Sequence, residues 1–362
     1  MWDINKSAVE AAVERYPQAP VAASLQEICD DDAIKAVIVA TPPDSHHEIG
    51  LTLMKAGKNV LMEKPLAPSF RECRDLVAAA SDNGVRLAVG HTKRFHPTFR
   101  LVREIVNSGQ IGVPFFIGVH WATDVKLNPN AFIPISYENY WWRWKGANIG
   151  GGIGQDHIPH YVDLARIWTG AEPRRVLGHN MNVARDYLKW LPEESLWEDF
   201  SLTLVELDTG CVLRLETGVV GRSISPLLGT GHGSGEWTEY AYILGTEGKL
   251  LVDLPPWDAS ETGRIALWRS EAAARDRQGW TLIEQPEPNR GQGSPSGTAY
   301  ATSLAQMAAF QEWMADPAAG PSDLAIGPDG AASVAVIEAA YLSDSLGRWI
   351  EIAEITGKNG DA

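Results

Sequence analysis

Two short stretches of the sequence carry residues that could move a proton. Lys64 follows the apolar segment NVLM and stands between Glu63 and Pro65. Asp156 and His160 lie much later in the chain, one turn apart on a predicted helix. A lysine ammonium can donate a hydrogen bond to an oxygen that gains negative charge. A histidine titrates near neutrality and can take a hydroxyl proton, so these residue types suit acid–base chemistry on a hydroxyl group.

The segment GGGIGQDHIPHYVDLARIWTG predicts the helix that carries two of these residues. At about 100° per residue, Asp156, His160 and Asp163 fall within roughly 60° of one another. The rest of the helix is mostly apolar, so a carboxylate and an imidazole on it cost stability unless they are paired or used. A structural Asp–His hydrogen bond remains an alternative. A metal site is not favoured, because no third ligand has a matching spacing.

The elements around Lys64 predict a parallel, doubly wound sheet. KAVIVATPP, NVLME and VRLAVGH are apolar runs typical of strands buried on both faces. Helices are predicted between them from about Ser45 to Ala56, followed by Gly57, and after a capping box formed by Ser69 and Glu72. Ligands of such sheets bind at the carboxyl ends of the strands. Lys64 is therefore predicted to lie where substrate and cofactor meet, and a solvated lysine at a strand end is the alternative.

A different pattern follows after about residue 95. A helix is predicted over 97–108, and beyond residue 170 most segments have the pattern of strands. Two hairpins are predicted, turning at 208–210 and at 245–248. The second part of the chain is therefore predicted to be a largely antiparallel sheet flanked by helices.

Composition narrows the class of function. The 362 residues suggest two domains, and 44% hydrophobic with 21% charged residues is typical of a globular protein. The net charge is −15, and no cluster of Lys and Arg interrupts it, which argues against nucleic acid and anionic membranes as partners. No apolar run approaches ~18 residues and no signal-peptide pattern begins the chain, so we expect a cytoplasmic protein. Cys29, Cys73 and Cys211 have no metal-site spacing, and Cys73 is expected to be buried and inert.

The features expected of a dinucleotide site are only partly present. None of the 34 glycines forms G-x-G-x-x-G after a strand. Asp3, at the end of the opening strand, is nevertheless placed where an acid would bind the ribose hydroxyls, with a helix-capping role as the alternative. The aromatic run at 140–144 could pack on a ring-shaped substrate, and Arg143 within it could hold a phosphate or carboxylate. Core packing explains most of those rings with fewer assumptions.

These segments, in this order, resemble the glucose-fructose oxidoreductase and inositol dehydrogenase family, Gfo/Idh/MocA. The resemblance runs from residue 1 to about residue 352. It rests on VIVATPPDSHHEIGLTLMKAGKNVLMEKPLA, VGHTKRFHP, the pair Trp142-Arg143, GGGIGQDHIPHYVDLARIWTG, YILGTEGKLLVDL and IEAAYLSDSLGRWIEI.

The resemblance implies a two-domain fold. Residues 1–94 would form an α/β Rossmann domain that lacks its first strand and glycine loop, as in an N-terminally truncated family member. Residues 95–355 would form an α+β domain with a large, mostly antiparallel open sheet. Such a sheet often builds an oligomer interface, so a homo-oligomer, either a dimer or a tetramer, is expected.

The resemblance also implies an activity and its residues. We expect an NAD(P)-dependent oxidoreductase that transfers hydride between nicotinamide and a secondary hydroxyl or ketone of a sugar, cyclitol or related cyclic diol. Lys64 matches the family's catalytic lysine, and Asp156 and His160 match its D-x-x-x-H motif. His160 would take the hydroxyl proton while Lys64 hydrogen-bonds that oxygen. Positions matched to the cofactor or substrate region are Asp3, Thr41, Pro42, His46, Glu63, Lys64, Arg94 and Arg143. Asp3 favours NAD over NADP.

Two alternatives to this activity remain open at this point. One is a non-catalytic member that binds a dinucleotide or a sugar as a regulator. The other is an inactive, truncated member, since the phosphate-binding loop is not in the sequence. Lys64, Asp156 and His160 together argue against the regulator, because a regulator need not keep all three.

Overall fold

The fold is known over most of the chain. The computed structural model describes residues 1–123, 152–183, 198–218, 237–254, 263–270, 279–283, 298–316, 318 and 320–357. Within these residues the strands form one four-stranded and one nine-stranded sheet. The aromatic run at 140–144 and Arg143 lie outside the described residues, so the predictions made for them stay predictions.

The four-stranded sheet matches the predicted parallel arrangement. Its order is β1 (Ala36–Val39), β2 (Asn59–Met62), β3 (Leu87–Val89) and β12 (Ala325–Ile326). The first three strands run parallel, and β12 is antiparallel to β3. Four helices accompany these strands: α1 (Lys6–Arg15), α2 (Leu25–Asp30), α3 (His46–Lys55) and α4 (Phe70–Asp82). The last strand comes from residues predicted to belong to the second domain, so the chain returns to its first sheet near its end.

Local signals explain where these elements begin and end. The capping box at the start of α4 is confirmed, because Ser69 Oγ accepts from the Glu72 backbone N–H and Glu72 accepts from the Ser69 backbone N–H. Gly57 ends the turn after α3 with φ of 75°, a conformation that glycine adopts without strain. Strand β2 is buried almost completely, as a parallel strand covered on both faces should be.

The nine-stranded sheet forms the second layer of the molecule. Its order is β11 (Trp280–Ile283), β10 (Arg264–Arg269), β9 (Gly248–Leu254), β8 (Trp237–Gly245), β4 (Pro114–Thr123), β7 (Val212–Gly218), β6 (Phe200–Leu207), β5 (Pro173–Met181) and β13 (Ile350–Glu351). Every described pair is antiparallel except β4 with β7. The predicted α+β architecture with a large, mostly antiparallel sheet is confirmed, as are both hairpins.

Five further helices complete the described fold. They are α5 (Pro97–Asn107), α6 (Ile153–Thr169), α7 (Thr298–Ala315), α8 (Gly327–Leu346) and α9 (Ile352–Thr356). Helix α6 is the predicted helix of Asp156 and His160, and it ends at Gly170 with φ of 68°. It packs against α5, α8 and the nine-stranded sheet, and it lies beside the segment that follows β3. Its position brings residues of both sheets to one place.

Three negative findings hold for the described residues. No described helix is long and apolar enough to cross a membrane. No described group of His, Cys, Asp and Glu is arranged to hold a metal ion. Cys29, Cys73 and Cys211 form no disulfide and are all buried, so the predicted burial of Cys73 is confirmed.

Candidate active site

Lys64 and Asp156 meet between the end of β2 and helix α6. The Lys64 ammonium donates to Asp156 Oδ1 at 2.5 Å and to the Asp156 backbone carbonyl at 2.9 Å. Only 13% of the Lys64 side chain and 25% of the Asp156 side chain are exposed. Lys64 is therefore a paired, largely buried lysine at the carboxyl end of β2 rather than a solvated one.

His160 lies on the same helix as Asp156, next to a second histidine. The rings of His160 and His91 are 6.5 Å apart between centroids and meet edge to face at 78°. His160 Nδ1 is buried without a hydrogen-bond partner in the described structure. Burial lowers the pKa of His160 well below its ordinary value, and the charges of Lys64 and Lys93 add to that effect. A neutral imidazole at neutral pH is a proton acceptor.

Lys93, Glu239 and Tyr161 form a second buried cluster. The Lys93 ammonium pairs with Glu239 of β8, and the Tyr161 hydroxyl donates to Glu239 Oε1 at 2.6 Å. Burial lowers the pKa of Lys93, and the adjacent Glu239 carboxylate opposes that shift. This cluster ties the segment after β3 and helix α6 to the large sheet. Sequence reasoning missed it, although a lysine within VGHTKRFHP and a glutamate within a strand were visible signals.

Glu198 fixes the start of helix α6. Its carboxylate accepts from the backbone N–H of Gly152 at 2.9 Å and of Gly154 at 2.7 Å, and from the Tyr341 hydroxyl at 2.5 Å. A Cβ on Gly154 would lie 2.9 Å from Ser201 Oγ, so this position requires glycine. The carboxylate satisfies N–H groups that the first turn of a helix leaves unpaired. Glu198 is thus a positioning residue for the helix of Asp156 and His160.

Replacing Glu198 by glutamine should destabilise the fold, because an amide NH₂ would face backbone N–H groups in a buried site. We expect a loss of about 1–3 kcal/mol in the free energy of unfolding, measured by urea denaturation. Glu172→Gln, at the other end of α6, is the matched control, since the Glu172 side chain is 58% exposed and its carboxylate bonds only Arg166 within the described structure. Equal losses in the two variants would contradict the capping role.

Arg94 forms a buried ion pair with helix α6. Its guanidinium donates to both carboxylate oxygens of Asp163, at 2.7 Å and 2.5 Å, and to the Leu324 carbonyl at 2.9 Å. Asp329 lies 3.2 Å from the same group. Arg94 and Asp163 are both buried, so their pair connects the segment after β3 to helix α6. The placement of Arg94 near the dinucleotide or substrate stays a prediction, since these contacts are all with the protein itself.

Both ring nitrogens of His46 contact backbone carbonyls of the protein. Its two ring nitrogens lie 3.0 Å from the Pro65 carbonyl and 2.8 Å from the Thr41 carbonyl, and the side chain is fully buried. Burial lowers its pKa, which the carbonyl contacts partly offset. His46 therefore holds the loop after β1 against the loop after β2. Pro42 and Thr41 precede it at the end of β1, and the Thr41 hydroxyl accepts from Ser45 Oγ at 2.7 Å.

A groove runs from the chain's first residues to the end of β1. It has a volume of about 580 Å³, and Trp2, Asp3, Ile38 and Thr41 are among the residues that line it. Asp3 is exposed, and its carboxylate accepts from the Asn5 backbone N–H at 2.7 Å. The cap of helix α1 is Asn5 and not Asp3. Asp3 and Thr41 thus line the same groove.

The residues at the strand ends suit the nicotinamide half of a dinucleotide. Glu63 follows β2, and Gly90 packs against it so closely that a Cβ there would lie 2.9 Å from the Glu63 carboxylate. His160 Nδ1 is buried without a partner in the described structure, as a polar ligand at this place would require. None of the described strands is followed by the G-x-G-x-x-G loop that usually cradles a pyrophosphate. The described residues therefore fit the nicotinamide end of a dinucleotide better than its pyrophosphate, and Thr41, Glu63 and Lys64 stay the residues predicted to hold it.

Known proteins match the chain in sequence. A family model described as "Oxidoreductase family, NAD-binding Rossmann fold" matches residues 1–91, and one described as "GFO/IDH/MocA C-terminal domain" matches 99–251. scyllo-Inositol 2-dehydrogenase (NAD⁺) of Bacillus subtilis is 27% identical over 67% of this chain and 60% of its own length. 1,5-Anhydro-D-fructose reductase of Ensifer adhaerens is 30% identical over 45% of this chain and 46% of its own length. The chain's matches thus span about half of these relatives' lengths.

Solved structures match it in fold. Levoglucosan dehydrogenase in complex with NADH and levoglucosan superposes with a TM-score of 0.74 at 21% identity, covering 97% of this chain and 89% of that one. An oxidoreductase domain protein from Kribbella flavida gives a TM-score of 0.73 at 23% identity, with coverages of 97% and 89%. At these identities the likeness shows the fold alone.

Proposed function

Because the chain belongs to the GFO/IDH/MocA oxidoreductase family, we propose that it is a nicotinamide-dependent dehydrogenase. Its substrate would be a sugar, cyclitol or related cyclic diol, which it would oxidise at a secondary hydroxyl or reduce at the matching ketone. One observation carries the proposal: Lys64 at the end of β2 is hydrogen-bonded to Asp156, one turn before His160 on α6. The relatives matched in sequence bear the names of an inositol dehydrogenase and an anhydrofructose reductase.

The residues divide the chemistry between them. The nicotinamide, when bound, takes up or gives the hydride. His160 removes the hydroxyl proton, since its ring is neutral at neutral pH, and this typically contributes about 10² to 10⁴ in rate. The Lys64 ammonium hydrogen-bonds the same oxygen and stabilises the negative charge that develops on it. Asp156 holds the ammonium in place by accepting its hydrogen bond.

We further propose NAD as the cofactor in preference to NADP. Asp3 supports this, because a carboxylate beside the groove would bond ribose hydroxyls and repel a 2′-phosphate. A homo-oligomer is also proposed, formed through the outer face of the nine-stranded sheet, where Phe116 stacks on Tyr242 with ring centroids 5.9 Å apart. The proposed location is the cytoplasm, in agreement with three free cysteines.

The activity can be tested by a screen for NAD reduction. The panel should contain scyllo-inositol, myo-inositol, levoglucosan and glucose, and NADH absorbance is followed for each. At least one polyol should give turnover above the enzyme-free rate. NAD binding measured by calorimetry without turnover on any polyol would contradict the dehydrogenase and favour a non-catalytic binder.

The pH dependence of polyol oxidation should reflect His160. The pKa of His160 is lowered by burial, by Lys64, by Lys93 and by His91, and Asp156 opposes this. The ring therefore stays unprotonated at pH values below the ordinary pKa of histidine. Because the neutral ring is the active form, kcat/KM for oxidation should stay on its plateau as the pH falls through about 6.5. The acid limb should appear only at lower pH. A limb centred at or above about 6.5 would contradict His160 as the base.

A further inference from the structure

His91 is a buried histidine to which the proposed chemistry assigns no role. It follows Gly90 directly after β3, and its side chain is 1% exposed. Neither of its ring nitrogens has a hydrogen-bond partner in the described structure. Most buried polar atoms in folded proteins are satisfied, so two unsatisfied atoms on one ring require an explanation.

The protonation state of His91 narrows that explanation. Burial lowers the pKa of the ring. The charges of Asp163 and Asp329 raise this pKa and those of Arg94 and Lys64 lower it, so the four effects partly cancel. A neutral imidazole has one N–H donor and one acceptor nitrogen. A ligand hydroxyl can accept a hydrogen bond from the N–H or donate one to the other nitrogen, so it suits either side of the ring.

The place of His91 in the sheet indicates which ligand it faces. The carboxyl ends of β1, β2 and β3 follow one another across the sheet and carry Thr41, Lys64 and His91 in that order. Asp3 and Thr41 line the groove on the β1 side, where the dinucleotide is proposed to lie. His91 lies on the far side of Lys64 from that groove. This order places His91 away from the adenosine half of the cofactor, on the side of Lys64 that remains for the substrate.

The rings of His91 and His160 are close enough for one small molecule to contact both. An oxygen within hydrogen-bond range of a ring nitrogen lies about 4 Å from that ring's centroid. Twice this value exceeds the 6.5 Å between the two centroids. Oxygens of one small molecule, on one carbon or on neighbouring carbons, can thus contact both rings at once.

From these contacts we infer that His91 binds the substrate. It hydrogen-bonds the hydroxyl on the carbon next to the one that is oxidised, so that the site selects vicinal diols. This inference rests on the proposed dehydrogenase function. His160 and Lys64 act on the reacting oxygen, and His91 acts on its neighbour, which makes His91 a specificity-determining residue.

The test compares two substitutions at His91 on a matched substrate pair. His91→Phe keeps a ring of similar size and removes both nitrogens, and His91→Asn restores a donor and an acceptor. The substrates are the polyol turned over in the screen and its deoxy derivative that lacks the neighbouring hydroxyl. The control is His96→Phe, which removes an equally buried imidazole, 3% exposed, from the same segment.

We expect His91→Phe to lower kcat/KM for the polyol by about 10-fold to 100-fold, because a buried polar contact is lost. For the deoxy derivative the change should stay within about 2-fold. His91→Asn should recover part of the loss, and His96→Phe should leave the ratio of the two substrates unchanged. Equal losses of His91→Phe on both substrates would overturn the inference while leaving the dehydrogenase in place.

A binding measurement separates this inference from the proposed function. Long-range ¹H–¹⁵N spectra of histidine-labelled protein report the ring nitrogens of His91 directly, without turnover. Titration with scyllo-inositol should move the His91 ring signals in the wild type, and no movement at saturating polyol would overturn the inference even if no substrate is turned over. Calorimetry on His91→Phe gives a further outcome. If the variant binds NAD more weakly but keeps the wild-type ratio of kcat/KM between the polyol and its deoxy derivative, the ring contacts the cofactor instead, and the inference is overturned.

Discussion

Replacing Lys64 by methionine should lower kcat for polyol oxidation by about 10³-fold while the protein remains folded. The variant keeps the length of the side chain and removes the ammonium that would stabilise the developing oxyanion. Asp156 then loses the partner that lies 2.5 Å away, but its 25% exposed side chain can be solvated. We therefore expect a change in unfolding free energy that is small beside the effect on the rate.

Lys58→Met provides a matched control for this prediction. Lys58 precedes β2 as Lys64 follows it, is 4% exposed, and donates to the Asp31 carbonyl at 2.7 Å. It lies at the amino end of the strand, away from His160. Lys58→Met should leave kcat within about 2-fold of the wild type. A folded Lys64→Met variant that retains more than a tenth of the wild-type kcat would remove Lys64 from the proposed mechanism.

Breaking the buried pair of Arg94 and Asp163 should have the largest effect on stability. Arg94→Met leaves the Asp163 carboxylate, 1% exposed, without its bidentate partner. Arg166 is 4.0 Å from that carboxylate and compensates only weakly. Loss of one partner from a buried pair costs about 3–5 kcal/mol, which urea unfolding followed by circular dichroism would measure.

Two further variants show whether the cost comes from an uncompensated charge. Adding Asp163→Leu to Arg94→Met should recover much of the loss, because the pair is then replaced by apolar side chains. Arg348→Met removes an arginine from an exposed pair with Glu354 and should change stability far less. A double variant no more stable than Arg94→Met would contradict the uncompensated charge as the cause.

Much of the fold follows from local patterns in the sequence. The apolar runs ending at Val39, Met62 and Val89 predicted three parallel strands, and all three are present. The capping box at Ser69 predicted the start of α4, and Gly57 predicted the end of α3. These signals need only the residues within one element and its turns, so a single sequence suffices to find them.

The contacts within the site could be predicted less well. Helical spacing placed Asp163 on the face of His160, but its partner is Arg94, which lies 69 residues earlier in the chain. The pairing of Lys93 with Glu239 spans 146 residues, and that of Glu198 with Gly154 spans 44. Such contacts depend on how the two sheets are packed together, and no periodicity within one element encodes that packing.

His46 illustrates the same limit in another way. The resemblance assigned it to the cofactor region by position alone, and the ring does lie at the ends of β1 and β2. Both nitrogens, however, contact carbonyls of the protein. A residue's place in a motif therefore predicts its neighbourhood better than it predicts the atom that it contacts.

Transfer of a labelled hydrogen tests the central claim most directly. The polyol found in the screen is prepared with deuterium on the reacting carbon and incubated with NAD and the protein, and the reduced nucleotide is examined by proton NMR. If the chain is a dehydrogenase, deuterium should appear at C4 of the nicotinamide on one face of the ring, and Lys64→Met should slow its appearance in proportion to kcat. Reduced nucleotide without deuterium, or product formed without reduced nucleotide, would contradict direct hydride transfer and with it the proposed function.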